Sequence, residues 1–110
     1  MPRAVRTRKA AVQDEAFRAL ADATRRQILV VLAAGPMRAG DVAARFAVSR
    51  PAVSRHLRVL RAAGLVQVEA RGRERWHAIA DAGLREAAGY VGDVADFWRT
   101  HLAKLDRTLR

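Results

Sequence analysis

Ser49, Arg50, Pro51, Ser54, Arg55 and Arg58 fall within ten residues, in the order Ser-Arg-Pro-x-x-Ser-Arg-x-x-Arg. A guanidinium offers parallel donors that match a phosphate or the O6 and N7 atoms of guanine. A serine hydroxyl reaches a phosphate oxygen or an adjacent base edge. These residue types suit recognition of a nucleic acid. They are accompanied by no nucleophile–base set, no glycine-rich phosphate loop and no metal triad, so an enzyme is not expected.

Such side chains need a rigid carrier. Val53, Leu57 and Leu60 recur at helical spacing, while Arg55 and Arg58 fall on the opposite face. Ser49 suits the N-cap, Pro51 the first turn and Gly64 the left-handed C-cap, which predicts a helix over 50–63. A shorter helix over 39–46, with Val42, Ala43 and Phe46 inward, precedes it through a turn at Ala47-Val48. After it, Leu65–Glu69 alternates as a half-buried strand, Ala70–Glu74 turns and Arg75–Ile79 returns. Arg71, Arg73 and Arg75 crowd the tip, 70–75. The layout predicts a mainly α winged helix-turn-helix of four helices, a two-stranded β-hairpin wing and a long C-terminal helix. Its 50–63 helix would enter the major groove, with the wing on flanking DNA.

The remaining elements support this unit. Helix 1 is expected over 12–21, with Val12, Ala16, Phe17 and Leu20 inward. Helix 2 carries Ile28, Leu29, Val31 and Leu32 and stops at Gly35-Pro36. Asp22 and Thr24 are alternative N-caps for helix 2. His56 sits nearer the buried side of its helix and reads as a packing and hydrogen-bonding residue. Trp76 and Trp98 read as core or dimer-interface anchors.

Leu84, Ala88, Val91, Ala95, Trp98, Leu102, Leu105 and Leu109 follow spacings of 4, 3, 4, 3, 4, 3, 4. A helix over 82–108 at 1.5 Å per residue would be roughly 40 Å long. That exceeds what a small core can cover. A second copy of the chain would cover the far half, and a helix folded back on its own domain is the alternative. Phe17, Leu84, Val91, Ala95, Trp98, Leu102, Leu105 and Leu109 are the expected interface of a homodimer.

The 110 residues suffice for one domain over 12–110, preceded by a flexible basic arm over 1–11 that includes Arg3, Arg6, Arg8 and Lys9. Twenty-one basic against 11 acidic residues leave a net charge of +10, a surplus that points to a polyanion. Aromatics are too few for stacking on single-stranded RNA, but a non-specific architectural DNA- or RNA-binding protein remains the alternative to a sequence-specific one. With no cysteine, disulfides and thiolate metal sites are excluded. No apolar run approaches a membrane span and no signal core is evident, so a cytoplasmic protein with no membrane partner is expected.

Leu20–Leu29 (LADATRRQIL), Asp41–Phe46 (DVAARF), Ser49–Leu60 (SRPAVSRHLRVL) and Ala63–Val66 (AGLV), in this order and at these gaps, resemble the arsenic-repressor (ArsR/SmtB-type) family of bacterial winged-helix regulators. The resemblance runs from about Ala16 to the end. It implies a homodimeric, DNA-binding transcription factor, most often a repressor released by a signal. The terminal helix would pair with helix 1 at the interface, and Ser49, Arg50, Ser54 and Arg55 would approach DNA. The chain departs from the family's metal sensors: Asp41-Val42-Ala43-Ala44-Arg45 stands where some carry cysteines. The terminal helix offers Asp93, Asp96 and a single histidine, His101, where others pair Asp and His. No cofactor or metal is expected; the one alternative is a weak site between protomers, to which a symmetric dimer would contribute a pair of Asp96 and His101. An effector stays open, and Phe17, Tyr90, Phe97 and Trp98 are candidate lining residues for one or ordinary core residues.

Overall fold

The computed structural model describes residues 8–109. The order is α1 (Arg8–Leu20), α2 (Ala23–Leu32), β1 (Met37–Arg38), α3 (Ala39–Ala43), α4 (Arg50–Ala62), β2 (Val66–Arg71), β3 (Glu74–Ile79) and α5 (Asp81–Leu109). None of these helices is long and apolar enough to cross a membrane.

Local chemistry explains most boundaries. The Asp22 carboxylate caps α2 by accepting from the Arg25 N–H at 3.0 Å, so Asp22 rather than Thr24 is the cap. That backbone donor, chiefly, holds the Asp22 carboxyl below its ordinary pKa. Ser49 caps α4 by accepting from the Ala52 N–H at 3.2 Å, with Pro51 in the first turn. At the other end Gly64 adopts φ +74°, the Leu65 N–H reaches the Leu60 carbonyl and the Gly64 N–H reaches the Arg61 carbonyl. This is a Schellman cap, which redirects the chain from α4 into β2.

One core joins these pieces. Ile28, Leu29 and Leu32 of α2, Val42 of α3, Val53, Leu57 and Leu60 of α4, and Leu65 and Val66 at the wing root are all buried. Each helix contributes one stripe, as their periodicity requires. Two expectations change. Helix α1 begins at Arg8 instead of Val12, and Val12 is 38% exposed. Helix α3 ends at Ala43, and the following turn carries Phe46 back against the core. Residues 1–7 of the expected arm, with Arg3 and Arg6, lie outside the described residues.

The sheet has a third strand. The order is β1-β3-β2, all antiparallel, with Arg38 opposite Trp76 and Glu69 also opposite Trp76. A two-residue piece such as β1 has no periodicity to read. Register divides the wing into two faces. Val68 and His77 share one, continuous with buried Val66 and partly buried Ile79; Trp76, Glu69 and Arg38 share the other. The hairpin closes through Gly72 at φ +62°, the glycine-first arrangement favoured in two-residue turns.

Candidate nucleic-acid interface

Helix α4 presents its arginines because its apolar stripe is fully used inward. Arg50, Pro51, Arg55 and Arg58 are exposed, while Ser54 is half-buried on the flank that faces the wing. The Ser49 hydroxyl accepts the cap hydrogen bond and keeps its own proton to donate outward.

Between α4 and the wing lies a groove of about 850 Å³. Arg50, Pro51, Ser54 and Arg58 line it from α4, and Arg73 and Arg75 line it from the wing. Six of the nine residues expected to meet DNA are thus gathered on one concavity. Ser49 and Arg55 lie on α4 outside that lining, and Arg71 is placed elsewhere. It pairs with Glu69 at 3.4 Å and sets its guanidinium 4.5 Å from the Trp76 ring centroid, on the outer face of the wing. Trp76 itself sits with these charged residues, neither in the main core nor on α5.

The groove also holds residues that periodicity did not single out. Arg38 and Arg61 bring its arginines to six, with Arg50, Arg58, Arg73 and Arg75, against Asp41 and Glu74. Both carboxylates are engaged by Arg38: its Nε lies 3.0 Å from Asp41 and its Nη1 donates to Glu74. These partners hold the Arg38 guanidinium above its ordinary pKa. The Arg38–Asp41 spacing of three at a helix start was readable in the chain; the Glu74 partner requires the fold. His77, on the groove floor, is pushed below the usual histidine range, first by burial and then by the positive charges of Arg75 and Arg61. A backbone hydrogen bond at Met37 opposes the shift. Its Nδ1 is buried without a hydrogen-bond partner.

Behind the groove, Arg25 ties elements together. Its Nε donates to the Ala19 carbonyl at 2.7 Å, its Nη2 to the Arg18 carbonyl at 3.0 Å, and its Nη1 meets His56 Nδ1 of α4 at 3.4 Å. His56 is half-buried, as its position on the helix suggested.

The second apolar surface is on α5. Val91, Trp98, Leu102, Leu105 and Leu109 are each more than half exposed, and Ala95 is exposed beside them. Leu84 packs instead against the protomer's own core, and Phe17 of α1 meets Tyr90 of α5 edge to face at 5.4 Å. Asp96 pairs with Arg99 at 2.8 Å, and the His101 ring stacks on Phe97 with centroids 3.9 Å apart. No group of three or more His, Asp or Glu gathers among the described residues.

Residues 22–68 match the model of a family described as bacterial regulatory protein, arsR family. The chain is 45% identical over 85 residues to the HTH-type transcriptional regulator Rv2034 of Mycobacterium tuberculosis, covering 77% of each. It is 32% identical over 78 residues to the transcriptional repressor SdpR of Bacillus subtilis, covering 71% of this chain and 87% of that one. Among solved structures, it resembles a homodimeric winged helix-turn-helix DNA-binding domain from Mycobacterium bovis. The TM-score is 0.63 and the identity 31%, over 87% of this chain and 91% of that one.

Proposed function

The chain belongs to the arsR family of bacterial regulatory proteins, and from that premise we propose that it is a homodimeric repressor of transcription that reads an inverted-repeat operator. The observation that carries the reading is the α4–wing groove, where six arginines converge on a surface backed by a rigid core. A concavity of that sign draws in a phosphate backbone and lays α4 along the adjacent major groove. Arg50 and Arg55 are assigned to guanine O6 and N7, and Ser49 and Ser54 to phosphate or a neighbouring edge. Arg58, Arg73 and Arg75 are assigned to the backbone.

Two copies would join through the exposed α5 row from Val91 to Leu109, with α1 alongside. The similarity to a homodimeric domain supports that assembly. A two-fold axis then sets the half-sites about one helical turn, ~34 Å, apart. A bound dimer represses by occluding polymerase, and the similarity to a repressor supports that sign. The family and these relatives are transcriptional regulators, and we assign no catalytic step. A regulator has to share a compartment with the DNA it reads, and we assign the protein to the cytoplasm on that ground. Footprinting on the DNA upstream of its own coding sequence tests the reading: protection of two half-sites in successive major grooves supports it, and uniform weak protection contradicts it.

A further inference from the structure

We infer that Arg38 is a positioning residue that fixes the wing against the helix-turn-helix, so that the wing arginines meet DNA in register with α4. The inference rests on the DNA-binding reading above and adds to it a residue of the groove wall whose part is to hold the wing arginines in place.

Three observations converge on this side chain. It stands in β1, immediately before α3, and its Nε is 3.0 Å from Asp41 inside that helix. Its Nη1 donates to Glu74, the first residue of β3. Its guanidinium carbon also lies 5.5 Å from the centroid of Trp76, its partner in the strand pairing. One planar cation therefore spans the helix-turn-helix and the hairpin, and a second, Arg71 of β2, stacks on the same indole. The ion pairs are about half exposed and add little to fold stability. What they restrict is the angle of the hairpin: β1 already pairs with the root half of β3, and the Arg38–Glu74 pair extends that hold to the first residue of β3, next to the tip. The fork geometry matters, because a lysine could satisfy one carboxylate but not hold two while lying over a ring.

Charge alone makes the opposite prediction for one variant, which separates the two accounts. Glu74 lines a groove built for phosphate. If only charge counted, Glu74→Ala would remove an anion and tighten binding. If Glu74 is half of a latch, Glu74→Ala loosens the wing and weakens binding despite the gain in positive charge.

The test uses the full chain labelled with 5-fluorotryptophan, whose two tryptophans, Trp76 and Trp98, give two resonances assigned with Trp98→Phe. Without DNA, Arg38→Ala and Glu74→Ala should each move or broaden the Trp76 signal and leave Trp98 in place; Arg38→Lys should fall between. With an operator fragment, each alanine variant should bind about fivefold more weakly, the scale of one exposed charge pair. An unmoved Trp76 resonance, or tighter binding by Glu74→Ala, overturns the inference. A wild-type chain that ignores DNA would refute the functional reading instead, and the DNA-free resonances would still judge the latch.

Discussion

Arg55 and Arg73 are both exposed arginines, yet they occupy different surfaces and should fail differently. Arg55 projects from α4 away from the groove lining, and Arg73 lines the groove from the wing. Arg55→Ala should cost about 1–3 kcal/mol on the operator and relax the preferred base at one position, measured by competition with single-base variants. Arg73→Ala should weaken operator and random DNA alike and reduce the salt slope by about one. Equal loss on both DNAs for Arg55→Ala would end its assignment as a reader. Arg71 could not be separated from its neighbours in the chain. With the turn read as 70–74, the face on which residue 71 falls is undefined; the observed closure at Gly72 puts it with Trp76. His77 makes a separate prediction. Burial favours its neutral form in the folded protein, so its folded pKa lies below the unfolded value near 6.5. Its contribution to stability is complete above that unfolded value and is lost as pH falls through the lower folded one. Thermal melts of the free protein should decline as pH falls below the unfolded value near 6.5, and His77→Gln should flatten that decline; an unchanged slope would assign it to other groups.

At the scale of elements, boundaries set by a side chain were legible and those set by contact were not. The cap at Ser49, the proline after it and the glycine at 64 bracket α4 as their chemistry dictates. Ser49→Ala should lower stability by about 1 kcal/mol in a denaturant titration, because one helix N–H loses its acceptor. Strand β1 and the early end of α3 depend on pairing with β3 and on packing, which no local pattern announces. The tightest joint is equally silent. Gly83 opens α5 against the end of α4, its N–H donating to the Gly64 carbonyl at 2.9 Å. A Cβ there would sit 2.5 Å from the Ala63 carbonyl oxygen and 2.9 Å from Gly64 backbone atoms. Gly83→Ala should therefore destabilise by about 1–3 kcal/mol, since backbone, unlike a side-chain tip, cannot swing aside. A variant as stable as the wild type would show that the α4–α5 joint yields.

The described residues span 63 × 31 × 20 Å, an elongation imposed by α5. The heptad spacing announced that helix, and its apolar row stays half exposed over the distal turns. Which part of the row serves the protomer was not legible: Leu84 belongs to the core because Gly83 brings the start of α5 onto α4, whereas Val91 and the row beyond it stay exposed. Replacing Trp98 and Leu102 by glutamate should yield a folded monomer in analytical ultracentrifugation, with operator affinity lowered by a hundredfold or more, on the order of the loss of one half-site. A dimer that survived this change would place the interface elsewhere. The central claim is sequence-specific recognition of DNA, and fluorescence anisotropy addresses it most directly. The purified protein would be titrated against its own upstream fragment and a shuffled control at two salt concentrations. The account predicts a preference of about 1000-fold or more for the upstream fragment. Equal, steeply salt-dependent binding to both fragments would contradict it and favour a non-specific role for the charge.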